Sequence, residues 1–219
     1  MKVVYIEDFS DIDSVKSMWD WKYPWGATEH KHQFTEWENV RFEDDGLHFF
    51  HSDGGDRVNS GMIYWDGIPF RGIAKYSFDI TAPRYIPCAA WLLSDVTVRH
   101  GVRTILPEID VAEFGLHNMP NVLNLALHSW RKGSYPDHHT DDYLNHNISS
   151  KQLEWPVGRH TYTYSVGRYF STFSIDGQLK HVKWGYIDNG LVPLFTLPYP
   201  DWYYGPLGEV ILHNFRVEQ

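Results

Sequence analysis

The stretch Ile105-Leu106-Pro107-Glu108-Ile109-Asp110-Val111-Ala112-Glu113-Phe114 decides how the rest of the chain is read. Period-2 alternation places Glu108 and Asp110 on one face, about 6.7 Å apart along the strand, and turns Ile109 and Val111 to the other. Regular alternation would also turn Glu113 inward, where an unpaired carboxylate is costly. One extra residue, a β-bulge near Val111-Ala112, returns Glu113 to the side of Glu108 and Asp110. The spacing therefore predicts a kinked strand with three acids along one groove.

Outside this stretch, turn signals recur at short intervals: Asp45-Gly46, Gly54-Gly55, Asp66-Gly67, Asp176-Gly177 and Asn189-Gly190. Short aromatic and β-branched runs lie between them, the pattern of an antiparallel sandwich or barrel. The clearest hairpin runs from Tyr169 to Leu179, with Asp176-Gly177 supplying the positive φ angles of a two-residue turn. Helix signals are poor: Asp13-Ser14 is the candidate cap of a short turn through Met18, and no long helical apolar period exists. In Asn121–Trp130, Leu123, Leu125 and Leu127 point one way and Asn124, Ala126, His128 and Trp130 the other. The leucines are assigned to the core, which leaves His128 and Trp130 on a candidate binding face. The expectation is one all-β domain over residues 1–219.

Composition removes several function classes. Lys and Arg total 19 against 28 Asp and Glu, a formal charge of −9, which speaks against a nucleic-acid backbone as partner. No apolar run approaches the ~18 residues of a membrane-spanning helix, so a membrane is not an expected partner either. Aromatic residues make up 16%, which suggests flat apolar ligands such as sugar rings. A single cysteine, Cys88, excludes an internal disulfide and a four-cysteine metal site. His30-Lys31-His32 and Asp137-His138-His139 lie in expected loops without ligand spacing, so neither a metal nor another cofactor is predicted. The apolar stretch before Glu7-Asp8 is too short for a secretory signal, which needs roughly 7–15 apolar residues. The expected location is extracellular or periplasmic if a signal has been removed, and cytoplasmic or virus-associated otherwise.

Acids alternating on a strand are most often a solvated face. Three of them separated by Ile, Val and Ala, opposite a strand carrying His and Trp, point elsewhere. They suit retaining glycoside hydrolysis, in which one carboxylate attacks the anomeric carbon and a second, roughly 5–5.5 Å away, protonates the leaving oxygen. Negative neighbours and aromatic walls raise the pKa of the group that must keep its proton.

Glu108-Ile109-Asp110-Val111-Ala112-Glu113 resembles the active-site signature of glycoside hydrolase family 16, the laminarinase, lichenase, agarase and carrageenase group. Glu38–Leu47 resembles the family's early strand pair, Ala89–Leu93 the strand before the catalytic one, Ser174–Gly177 its late hairpin, and Phe215–Val217 its closing strand. The resemblance implies a concanavalin A-like β-jelly roll of two curved antiparallel sheets with a groove across the concave face. It implies Glu108 as nucleophile, Glu113 as general acid/base, Asp110 assisting between them, and His128 within reach of the carboxylates. Trp91 fits the family's sugar-stacking tryptophan and Trp130 is a second platform. Trp25, Trp37 and Asn39 belong to an aromatic segment that in this fold borders the groove. The other tryptophans are expected as core or loop anchors.

The chain also departs from the family pattern. The usual Trp-Pro-x-x-Trp is replaced by Tyr85-Ile86-Pro87-Cys88-Ala89-Ala90-Trp91, and a Glu-x-Arg pair by Lys75-Tyr76-Ser77. His213 stands where an Asp often contributes to a calcium site, so calcium is not predicted. The resemblance implies a monomeric endo-acting β-glycosidase on a polysaccharide, with β-1,3- or mixed-linked β-glucan first. A red-algal galactan (agar, porphyran or carrageenan) follows. The rivals are a lectin-like binding module without activity and a transglycosylase.

Overall fold

In a computed structural model of the chain, the described residues are 1–22, 33–35, 37–95, 107–115, 121–130, 145–184, 190–199 and 205–219. Seven strands form one antiparallel sheet, in the spatial order Asn145–Glu154 (β13), Val122–Trp130 (β12), Pro107–Phe114 (β11), Cys88–Ser94 (β10), Leu191–Thr196 (β17), Met62–Trp65 (β8) and Trp19–Asp20 (β2). The second sheet runs Gln178–Trp184 (β16), Phe170–Ile175 (β15), Gly158–Val166 (β14), Ala74–Ala82 (β9), Glu209–Glu218 (β18), Gly46–Phe50 (β5) and Val40–Glu43 (β4). Val3–Glu7 (β1) adds to β18, and Gln33–Thr35 (β3), Val58–Ser60 (β7) and Ser52–Asp53 (β6) make a small third sheet. This is the two-sheet antiparallel jelly roll that the turn spacing and the family resemblance predict.

The two large sheets close on one apolar core. Phe49 of β5 meets Phe195 of β17 with ring centroids 4.7 Å apart, and Tyr162 of β14 meets Phe114 of β11 edge-on at 5.3 Å. Such aromatic pairs bury large areas and fix the distance between layers. They hold the inward side of β11, so its outward side is presented on a rigid support.

Local signals explain the connections. Asp176 and Gly177 have φ of 50° and 74°, the pair of positive values a type I′ hairpin turn requires. Asp176 is also fastened by a hydrogen bond from the Thr161 amide at 2.9 Å. The short helix is Ile12–Met18 (α1), and its cap is Asp11, not Asp13-Ser14: the Asp11 carboxylate accepts from the amides of Asp13 and Ser14 at 3.1 Å each. Only Asp11 stands far enough before the first turn to reach its free N–H groups.

His213 faces the Asp45 carbonyl oxygen through Nδ1 at 2.5 Å and the Thr81 hydroxyl through Nε2 at 2.7 Å, so its ring ties β18 to the 43–46 turn and to β9. Trp19, Trp65 and Trp155 are buried anchors as expected. Trp184 departs from that expectation: it is 72% exposed on β16, beside Phe170. It lies on the outer side of the last strand of its sheet, where no second layer covers it among the described residues. No helix among these residues is long and apolar enough to cross a membrane.

Candidate active site

The register of β11 with its two neighbours places the acids. Glu108 lies opposite His128 and Leu93, Asp110 opposite Ala126 and Trp91, and Glu113 opposite Asn124 and Ala89. Directly paired residues of an antiparallel ladder share a face, so all three carboxylates emerge on the same side. The register shifts that allow this fall between Asp110 and Glu113 against β12, and between Ala90 and Trp91 on β10. The bulge therefore lies at Val111-Ala112, where the spacing predicts it. Ile109, Val111, Ala112 and Phe114 are core residues, as are Leu123, Leu125 and Leu127 of β12. Burial of these apolar side chains drives both strands into the orientation that turns the polar ones outward.

On that face Asp110 accepts a hydrogen bond from His128 Nε2 at 2.8 Å. Donor atoms of Glu108, Asp110 and His128 all lie within 4.8 Å of one another. Asn124 Nδ2 donates to Glu113 Oε2 at 2.7 Å. Glu113 is 9% exposed and Asp110 5%. Burial, then the Asp110 charge, push the Glu113 carboxyl up to about 8; Glu108 adds to this, while the Asn124 hydrogen bond and His128 act against it. Burial alone would lower His128, but the hydrogen bond and charge of Asp110, with Glu108 and Glu113, outweigh it and raise the imidazole to about 9. At neutral pH the row therefore contains a protonated carboxyl and an imidazolium. A carboxyl that keeps its proton beside carboxylate neighbours is the division of labour that acid and nucleophile need.

By size, Glu108, Asp110 and His128 offer a donor set for a divalent cation, and Glu43, Asp45 and His48 on the other sheet offer a second. In both, ring nitrogens already face carboxylates: His128 toward Asp110, and His48 toward Glu209 and Asp45. An imidazole held this way donates N–H bonds and forms an ion pair, with no lone pair aimed at a shared centre.

The remaining sequence candidates are distributed differently. Trp91 is 5% exposed yet shares the carboxylate face, directly opposite Asp110. Trp37 is half-buried and packs edge-on against Phe42, with Lys16 above its ring. It lines a cavity of about 350 Å³ with Trp21 and Asp20, beside β2 and four strands, or roughly 19 Å, from β11. Asn39 is buried, and its Nδ2 donates to the Phe50 carbonyl at 2.8 Å and to Ser52 Oγ at 2.9 Å. Those bonds tie the segment before β4 to the neighbouring hairpin. Asn39→Ala is expected to destabilise the fold by about 1–3 kcal/mol, measured as a lower thermal midpoint. Trp25 lies outside the described residues, as does the Trp130 side chain. Asn124 was not assigned a role from the sequence; its alternation with Ala126 and His128 on one face was the available signal.

No family model matches the sequence, and no curated protein matches it. Solved structures do. A laminarinase from Flavobacterium sp. UMI-01 superposes with a TM-score of 0.73 at 18% identity, covering all of both chains. A mixed-linkage glucan GH16 protein from Bacteroides ovatus, in complex with the product G4G4G3G, gives 0.74 at 16% identity, over 98% of this chain and 100% of that one. The kappa-carrageenase from Pseudoalteromonas carrageenovora gives 0.69 at 15% identity, over 99% and 94%. This chain thus has the fold of the glycoside hydrolase family 16 structures along nearly its whole length.

Proposed function

We propose that this chain is an endo-acting, retaining β-glycoside hydrolase, a single catalytic domain over residues 1–219 that works as a monomer on polysaccharide. The observation that carries the reading is the bulge-built row Glu108, Asp110, Glu113 with His128 opposite, on a face shared with Trp91. In the first half-reaction a Glu108 oxygen bonds to the anomeric carbon. The glycosidic C–O bond breaks, and the Glu113 proton passes to the leaving oxygen. In the second, Glu113 takes a proton from water as the water oxygen bonds to the same carbon and the ester to Glu108 breaks. Two inversions leave the configuration retained. Asp110, tied to His128, stands between the two glutamates and orients the nucleophile.

The proton logic supports the cycle. Once Glu108 is esterified its charge is gone, so one cause of the raised Glu113 pKa disappears as Glu113 must become a base. Because Glu113 must begin protonated, kcat/KM is expected to fall as pH rises through about 8, tending toward tenfold per unit. A profile flat to pH 10 would remove Glu113 from the acid's role.

A β-1,3- or mixed-linked β-glucan is the first substrate, consistent with the laminarinase and mixed-linkage proteins among the similar structures. A red-algal galactan is second, since a carrageenase shares the fold; the net charge of −9 disfavours a heavily sulfated polymer. A reducing-sugar assay across laminarin, mixed-linkage glucan, agar, porphyran and carrageenan tests this, with NMR of the first-formed anomer. Release of the β-anomer is expected. No turnover on any polymer, with binding intact, would leave the lectin-like reading.

A further inference from the structure

We propose that Asn124 is a positioning residue for Glu113: its amide donates to Oε2, holds that oxygen as the acceptor, and directs the exchangeable proton to Oε1. The inference rests on the hydrolase reading above and concerns how one carboxyl serves two opposite proton transfers. Asn124 reaches Glu113 because the bulge makes the two residues direct partners across β11 and β12. Its flanking residues, Leu123 and Leu125, are fully buried, so the backbone beneath the amide is fixed. The Nδ2 to Oε2 distance is 2.7 Å, typical of a charge-assisted bond when the acceptor is ionised.

An N–H donor stabilises a carboxylate more than a neutral acid. Burial and Asp110 both favour the neutral acid, and both persist after Glu108 is esterified. Asn124 works in the opposite direction, and being uncharged and without a titration of its own, it does so in every state of the cycle. It therefore assists the second half-reaction, in which Glu113 must be a base, more than the first. With Oε2 accepting from Asn124, Oε1 is the oxygen assigned to deliver the proton to the leaving sugar and later collect it from water.

The test uses the full chain with Asn124→Leu and Asn124→Ala. The Glu113 carboxyl carbon is titrated by NMR without substrate, and turnover is followed on polysaccharide and on an aryl glycoside whose dinitrophenolate leaves without a proton. Loss of the donor is expected to raise the Glu113 midpoint by about one pH unit, with the alkaline limb of kcat/KM on polysaccharide following it. On the aryl glycoside a burst of dinitrophenolate is expected, then a steady state slower by on the order of tenfold, with KM falling alongside kcat because the covalent intermediate accumulates. Asn124→Ala, which adds no charge beside Glu113, carries the test if the Leu variant does not fold. A midpoint that stays or moves down in the folded variants overturns the proposal, since an amide that merely packs, or accepts from a Glu113 hydroxyl, gives those results. Wild-type protein without turnover overturns the hydrolase reading and the proposal with it; wild-type turnover with an unmoved midpoint overturns the proposal alone.

Discussion

Glu108→Gln is expected to lower kcat on the true substrate by on the order of 10⁵-fold, the scale on which enzymes lose a covalent nucleophile. The amide cannot form the ester, and among the described residues no other carboxylate on the face is placed to replace it: Asp110 is bonded to His128 and Glu113 to Asn124. The fold should persist, because Glu108 is only partly buried and its neutral replacement reduces repulsion along the row. Two measurements check this. A fluorinated glycoside with a good leaving group should trap an adduct on the Glu108 peptide of the wild-type protein, read by mass spectrometry, and none on the variant. Melting curves should coincide or favour the variant. Residual turnover above a few per cent in a folded variant would assign the nucleophile elsewhere.

Glu113→Gln should separate activity from stability in opposite directions. Loss of the proton donor and acceptor is expected to reduce turnover by about 10²–10⁴-fold. The folded Glu113 keeps its proton to about 8, whereas the ordinary glutamate value is 4.5. The native state therefore binds more protons than the unfolded chain between these values, and stability declines as pH rises through that window. Glutamine removes the dependence. The variant should match wild type near pH 4 and exceed it increasingly toward pH 8, by roughly 2–4 °C in Tm for each kcal/mol recovered. His128 fades on the same side: raised to about 9, its contribution is fully present below its ordinary value of 6.5 and is lost as pH rises through 9. Thermal melts of both proteins from pH 4 to 9 decide the matter, and a difference that does not grow with pH would contradict the buried, protonated state of Glu113.

What could be read from the chain alone was whatever depended on local alternation. The inward course of Ile109, Val111 and the three leucines of β12 follows from period 2, as does the need for an extra residue before Glu113. The Asp176-Gly177 turn was legible because only certain residues accept its backbone angles. Features that depend on distant register were not. Asn124 becomes a partner of Glu113 only when β12 is aligned with β11. Asn39 is committed to the 50–52 backbone, which sequence proximity does not reveal. The exposure of Trp184 depends on its strand lying at the end of a sheet, and a strand's own residues do not say what lies beside it. The choice of Asp11 over Asp13 as helix cap turned on a two-residue shift, the usual precision limit of terminus signals.

The extra residue at Val111-Ala112 has an arithmetic consequence. Glu113 is an odd count from Asp110 yet occupies the even side, so the kink and the surplus residue cancel. Excising either Val111 or Ala112 would straighten the strand and still leave Glu113 outward and Phe114 inward, because Glu113 would then follow Asp110 by an even count. A lineage carrying the motif can thus shorten it by a codon without surrendering the parity on which the trio of acids depends.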